Sequence, residues 1–576
     1  MRELLWRGAN APEDGDWIIA EVPWHGPAQL VEVLGADDRP EWDDATVASQ
    51  FRLRVSFPRR AEEEAAAFGE PDARARKGRE DRRDDLVVTI DPEDARDHDD
   101  ALAVRSLGGG RHEVGIHIAD VSSYVRPGSA LDEEARARGT SCYLPGGARP
   151  MLPERLSGGL CSLREGADRL ALSVLAVLDD AGRLHEYRFA ACVIRSRARL
   201  SYEQAQRALD GEAPLPGGLQ EPVATLMRLA RVLRARRMAA GALQLESSEV
   251  KAVVDERGEP LELVRRPHLE SHELVEEFML LANRCVGEAA ALRKSGVLWR
   301  VHEPPSARKL GELDEMLRVL GLPRLGPAPE PHRALQALLA VPLDPPKRRL
   351  VHRLALRTLP RARYLERDLG HFGLATREYL HFTSPIRRYP DLHNHRRVHA
   401  WITGERDAAW DPVENAALAV ECSAREQDAT EAEREGTRVK GLRLLAARLG
   451  DSASGSITGL VPRGFFVELD DPPVDGFVAV SDQLDDRFDL DAAGVRLVGR
   501  RTRRRFTLGD AVRVTVARVD VPARECDLAL EQEHGRGGAR RGASVRKHQS
   551  AERRPRDGSR DVGRGSRRSP GGRGWR

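Results

Sequence analysis

Apolar and polar positions alternate differently along this chain, and each pattern predicts a different element. Short β-like runs at residues 17–22 and 29–34, separated by His25-Gly26-Pro27, predict strands of a small barrel with too few strands to close. Residues 59–85, with AEEEAAAF and then ARKGREDRRDD, predict a helix followed by a solvated linker. LVVTI (86–90) reads as a buried strand, and HEVGIHIADV alternates with Val114, Ile116 and Ile118 on one face. LALSVLAVLDDAGRLHEYRFAAC predicts two strands joined at Asp180-Ala181-Gly182. SHELVEEFMLLANRCVGEA places Leu274, Phe278, Leu281 and Cys285 at helical spacing, opposite Glu273, Glu276 and Glu277. A polar helical connector follows, to Gly450. Five short strands are then predicted between 455 and 530: GSITGLV, GFFVEL, DGFVAV, a run near 495–497, and AVRVTVARVD with its continuation. That number in that length suggests an OB-type barrel. The last 43 residues have no apolar period and predict disorder.

Composition narrows the class. Of 576 residues, 40% are hydrophobic and 32% charged, so the chain is more polar than an average soluble protein. No run approaches the roughly 18–20 apolar residues of a spanning helix, and MRELLWRGANAPEDGDW is no secretory signal. Six scattered cysteines without a Cys-x-x-Cys pair exclude a disulfide framework or zinc ribbon and suit a cytoplasmic location. The net charge of +1 conceals segregation: residues 536–576 carry +11, which leaves −10 on the rest. An acidic body with a basic tail points to a polyanionic partner.

The candidate chemistry begins at TIDPEDARDHDDAL (89–102), where Asp91, Asp97, Asp99 and Asp100 crowd a loop after a buried strand. Crowded carboxylates either splay into water or bind cations, and an all-oxygen set selects hard ones. Two ions held by shared carboxylates are a common device for phosphodiester cleavage. A calcium EF-hand starting at Asp91 is rejected, because its sixth and twelfth positions are Arg96 and Leu102 rather than Gly and Glu. The second motif is YLHFTSPIRRYPDLHNHR (379–396). Ser384-Pro385 predicts a helix start, flanked by Arg387 and Arg388 as a phosphate site. The histidine pairs 395/399 and 268/272 lack the glutamate of a His-Glu-x-x-His motif and are read as packed or solvent-facing.

Together these two blocks resemble the ribonuclease II/ribonuclease R family of 3′→5′ exoribonucleases, whose catalytic unit is the RNB domain. The resemblance continues in the family's order through GIHIADVSSYV (115–125), RGTSCYLP (138–145), MLPERLSGGLCSL (151–163), SHELVEEFMLLAN (271–283) and RVHEPP (300–305). It implies a multidomain α+β protein. Expected in turn are a truncated OB or cold-shock-like segment (1–60), a charged helix and linker (61–85), a mixed α/β RNB catalytic domain (86–404) and a helical connector (405–450). An S1-like RNA-binding OB barrel (451–533) and a disordered Arg/Gly-rich tail (534–576) would follow. Family members usually carry two cold-shock barrels before the catalytic domain, whereas about 80 residues precede it here, so either RNA is gripped less at the entrance or the true start lies upstream.

Carried over residue by residue, the resemblance implies a magnesium (or manganese) site at Asp91, Asp97, Asp99 and Asp100. Asp91 and Asp100 would be direct ligands, and Asp99 would place the last nucleotide and the attacking water. Arg387 matches the arginine on the scissile phosphate, so Asp99, Asp100 and Arg387 are the expected catalytic residues. Tyr143 matches the aromatic that stacks on a base near the 3′ end. Arg388 is a further RNA-binding candidate, as are Phe465 and Phe466 of the terminal barrel, of which at least one is expected in its core. The implied protein is a monomeric, magnesium-dependent hydrolytic exoribonuclease that degrades single-stranded RNA to nucleoside 5′-monophosphates, without a membrane. A non-catalytic RNA-binding protein of the same fold is the alternative, and the complete aspartate set with Arg387 weighs against it.

Overall fold

The computed structural model describes residues 4–5, 12, 17–21, 28–35, 38–245, 249–326, 330–404 and 410–531; the expected disordered tail lies outside the described residues. A seven-stranded sheet carries the acidic loop. Its order is Ala198–Ser201, Val88–Asp91, Asp100–Gly108, Arg111–Ala119, Asp168–Asp179, Leu184–Arg195 and Glu80–Arg82. The two long strands form the predicted hairpin. Asp179 Oδ1 accepts the backbone N–H groups of Ala181 and Arg183, each at 2.9 Å, and Gly182 takes the left-handed φ of 66° that closes the turn.

The charged stretch before this sheet departs from expectation. Its first part is the helix Arg59–Ala66, but Glu80–Arg82 joins the sheet as a parallel edge strand beside Leu184–Arg195 instead of remaining a solvated linker. The charges are what make that edge tolerable. Arg79 pairs with the fully buried Asp120 at 2.5 Å, and Arg76 and Arg83 share Asp168.

Helix Glu270–Arg293 buries Leu274, Phe278, Leu281 and Cys285 as predicted. Glu277 is buried with them rather than facing water, because Arg237 of helix Gln220–Ala240 meets it at 2.6 Å. The helix predicted at Ser384-Pro385 begins later, at Tyr389–Thr403, with Pro390 in its first turn. Arg388 is extended (φ −133°, ψ 124°), and the Ser384 carbonyl instead closes a turn onto the N–H groups of Arg387 and Arg388.

Helix Pro412–Ala446 has 35 residues, about 50 Å at the α-helical rise. Near its end the side chain of Lys440 is 1% exposed. Its Nζ donates to Asp43 Oδ2 (2.7 Å), the Pro40 carbonyl (2.8 Å) and the Gly258 carbonyl (2.6 Å). One ammonium thus ties three distant segments together. Lys440→Met is expected to cost about 3 kcal/mol, read as a lower urea midpoint, because it leaves buried acceptors unpaired although Arg443 still holds Asp43.

The described strands of the first segment form one three-stranded sheet, Leu4–Leu5, Ala28–Gly35 and Trp17–Glu21, and helix Asp43–Gln50 follows it. At the other end a closed barrel runs Ser452–Val461, Gly464–Leu469, Asp475–Ala479, Glu525–Leu530 and Ala511–Asp520. The run near 495–497 is not a barrel strand. It lies in Arg496–Gly499, at the centre of a separate three-stranded sheet with Phe488–Leu490 and Arg505–Thr507. The expected continuation of AVRVTVARVD makes its own strand and completes the barrel. All six cysteines are free and buried, and no described helix is long and apolar enough to cross a membrane.

Candidate active site

The acidic loop owes its shape to its two flanking strands. Val88–Asp91 is buried up to Ile90 and ends where Pro92 cannot donate to a ladder. After a turn closed by Ala95 N–H on the Pro92 carbonyl, the chain re-enters the sheet at Asp100, antiparallel, with Val88 opposite Leu102. Asp91 leaves one strand at the same end where Asp100 enters the next. Two carboxylates separated by nine positions therefore share one site.

Each aspartate is held differently. Asp91 Oδ2 accepts from Nδ1 of the buried His98 at 2.8 Å. Asp97 Oδ2 accepts the Tyr143 hydroxyl at 2.8 Å. Asp99, 4% exposed, accepts the Ile386 N–H on Oδ1 (2.8 Å) and lies 3.6 Å from Arg387 Nε through Oδ2, an oxygen with no hydrogen-bond partner. Burial lifts the Asp99 carboxyl well above the usual range, with Arg387 opposing and Asp97 and Asp100 adding to it. Burial, followed by Asp91, pushes Asp100 up to about 8. A buried carboxylate oxygen without a donor, beside a second carboxyl strained by its neighbour, is a site short of positive charge.

An all-oxygen set of this kind fits a hard divalent cation. Among the described residues no three acidic, imidazole or thiol groups converge tightly enough to enclose an ion by themselves. The expected four-aspartate site is therefore not a closed protein cage, and water and substrate oxygens would complete the coordination, as Mg²⁺ commonly allows.

Arg387 reaches this cluster from the turn 384–388. Its Nη2 donates to Ser384 Oγ (3.1 Å), and its carbonyl accepts from the Thr140 hydroxyl and the Ser141 N–H, both at 2.9 Å. The guanidinium stays 44% exposed, open to a ligand. Arg388 is different. Its Nε and Nη2 grip the fully buried Asp391 at 2.9 and 2.7 Å, and Asp391 also accepts the Ser384 N–H. The expected RNA contact at Arg388 is thus replaced by an internal ion pair that shapes the turn.

Tyr143 sits on the short strand Cys142–Leu144, 43% exposed, with its hydroxyl fixed by Asp97 and its N–H by Glu433 Oε1 at 2.8 Å. In the barrel the two phenylalanines part ways. Phe465 is fully buried and packs on Phe506 with centroids 4.8 Å apart, so it is core and not an RNA contact. Phe466 is 42% exposed beside Phe477. His395 is packed, stacked on Phe382 and donating to its carbonyl, and His268 and His272 stack on each other. Sequence reasoning missed His98, Glu433, Thr140 and Asp391. His98 lies inside the acidic loop, and Thr140 and Asp391 inside the quoted blocks 138–145 and 379–396, but nothing local marked their roles, and Glu433 carried no signal.

The family model for the RNB domain matches residues 79–404, and that for the S1 RNA binding domain matches 447–531. Ribonuclease R of Thermotoga maritima is 38% identical over 537 residues, covering 90% of this chain and 75% of that protein. The solved structure of the apo form of Mycoplasma genitalium RNase R matches with a TM-score of 0.83 and 28% identity, covering 88% of this chain and 80% of that one. The same protein in complex with ribose-methylated single-stranded RNA matches at 0.82 and 27%, with the same coverage.

Proposed function

The chain belongs to the RNB-domain family of exoribonucleases, and from that premise we propose that it hydrolyses single-stranded RNA from the 3′ end with a divalent cation, Mg²⁺ or Mn²⁺, releasing nucleoside 5′-monophosphates. The observation that carries this reading is the juxtaposition of Asp91, Asp99 and Asp100 with Arg387, beside an exposed Tyr143. We read the protein further as a monomer acting in the cytoplasm.

Asp91 and Asp100 would hold the cation, with Asp97 and Asp99 beside it. The chemistry a bound divalent cation supplies is acidification of water and neutralisation of phosphate charge. Tyr143 offers its ring face to a base near the 3′ end, a sequence-tolerant grip, while Asp97 keeps the ring from rotating away. Asp99 Oδ2, without a donor of its own, is placed to accept a hydrogen bond from the attacking water. Water oxygen bonds to phosphorus as the bond to the upstream 3′-oxygen breaks, and that oxygen takes up a proton. Arg387, already oriented by Ser384 and Asp99, meets the charge that develops on the phosphate without reorganising. Contacts to the 2′-hydroxyl would select RNA over DNA.

The test follows a 5′-labelled single-stranded RNA on a sequencing gel. Shortening from the 3′ end in Mg²⁺, its arrest by EDTA, and recovery on adding Mg²⁺ back are the expected results. RNA that is bound but never shortened in Mg²⁺ or Mn²⁺ would sink the proposal in favour of the binding-only alternative. For the barrel, Phe466→Ala is expected to weaken RNA binding about tenfold in a filter assay, the loss of one stacked base, without lowering Tm.

A further inference from the structure

Behind the hairpin that carries Tyr143 lies a second cleft, and it is strongly basic. Successive side chains of a strand point to opposite faces. Tyr143 meets Asp97, whereas Cys142 lines this other cleft, a shallow one of about 30 Å³ that opens to solvent. Five arginines converge there: Arg52, Arg54, Arg138, Arg149 and Arg425. They come from four places: the chain just after helix Asp43–Gln50, helix Ala130–Arg138, strand Gly147–Arg149 and helix Pro412–Ala446. Tertiary structure, not a local run of charge, assembles them.

Three acids face the group. Glu134 is engaged by Arg54 and Arg138, each at 2.8 Å. Asp428 lies 3.6 Å from Arg425, and Asp44, which accepts the Gly146 N–H, is near Arg149 without an ion pair to it. Five guanidinium groups against three carboxylates leave two positive charges in excess. Burial, reinforced by Arg54 and Arg149, pushes Arg138 below the ordinary arginine range despite Glu134.

Two of the five arginines are incompletely partnered. Arg149 Nε is buried with no hydrogen bond. Arg52 sits at φ 53°, the left-handed position after a helix where glycine is unstrained, and its side chain makes no ion pair among the described residues. The cleft also adjoins the catalytic turn, since Thr140 in its wall donates to the Arg387 carbonyl.

We propose that this cleft binds a phosphate monoester. Such a group carries about −1.5 to −2 at pH 7, matching the excess charge, whereas a backbone phosphodiester carries only one. Arg138 is taken up by Glu134 and the Arg54, Ser56 and Pro150 carbonyls, and Arg54 by Glu134, so the donors open to the monoester's oxygens are those of Arg52 and of Arg149, whose Nε is unbonded. The monoester could belong to a free nucleoside 5′-monophosphate or to the 5′-phosphate end of an RNA. Binding itself does not depend on the catalytic reading; only the idea that the mononucleotide is the enzyme's own product does.

The experiment uses the full chain in EDTA at low ionic strength, so no readout depends on hydrolysis. AMP is expected to raise the Tm of the wild type and of Arg387→Ala, in which phosphate binding at the catalytic turn is removed. The rise should vanish in Arg52→Gln/Arg149→Gln, whose ligand-free Tm should not fall, because like charges have been separated. If the double variant does not fold, Arg52→Gln alone should raise the calorimetric Kd for AMP about tenfold. RNAs with a 5′-phosphate or a 5′-hydroxyl then separate the sources. Loss of affinity confined to the phosphorylated RNA identifies a chain end, and loss for AMP with both RNAs unaffected identifies the free nucleotide. Equal losses for both RNAs, with a shallower salt dependence, mean a backbone track and overturn the monoester proposal. So does a double variant that responds to AMP as the wild type does.

Discussion

Asp100→Asn is expected to cut RNA hydrolysis by about a thousandfold or more while RNA affinity in EDTA stays within about twofold. Asparagine keeps the shape of the side chain and its place at the start of strand Asp100–Gly108. What it removes is one of the two charges proposed to hold the cation, and cation-derived stabilisation of several kcal/mol corresponds to that factor. A second readout separates this from misfolding. The Asp100 carboxyl titrates near 8 in the fold against 3.8 for an unperturbed group. Its folded pKa is therefore the higher one, protonation favours the fold, and cation-free stability declines as pH rises between those values. Asp100→Asn removes that penalty. In EDTA at pH 8 the variant should melt above the wild type while remaining inactive; a lower Tm would show that the substitution had damaged the fold.

Arg387→Ala is expected to lower kcat by about 10²–10³-fold with a much smaller change in KM. A donor aimed at developing charge is worth that much when it is preorganised, and Arg387 is oriented from both sides, by Ser384 Oγ and Asp99. Arg387→Lys should recover little. An ammonium keeps the charge but cannot span a hydroxyl, a carboxylate and a phosphate as a planar fork does. Single-turnover kinetics on a labelled RNA would measure both variants. A rise in KM with kcat unchanged would mean that Arg387 serves only to bind.

The acidic loop was legible because its chemistry is local: strand, turn and strand lie within fourteen residues, and antiparallel re-entry brings Asp91 to Asp100. Arg387 was legible as part of a motif, but Arg388 was not separable from it, since only the fold shows Asp391 filling its fork. Glu433 and Thr140 had no local signature because they act across 290 and 247 positions. Adjacent Phe465 and Phe466 must face opposite ways, yet which faces inward is set by barrel pairing. The charged stretch before the sheet misled for a related reason. An edge strand whose flanking arginines, Arg79 and Arg83, are satisfied by Asp120 and Asp168 has the composition of a linker.

The bonds from Thr140 and Ser141 to the Arg387 carbonyl have a metric consequence. They join the residue chosen to grip a base to the residue chosen to meet a phosphate, through the few positions between Thr140 and Tyr143. Under the proposed reaction, the fold then carries its own ruler. The spacing between ring and guanidinium, and not the sequence passing through, sets how much RNA is removed per step, so every turn of the cycle should release a piece of the same length.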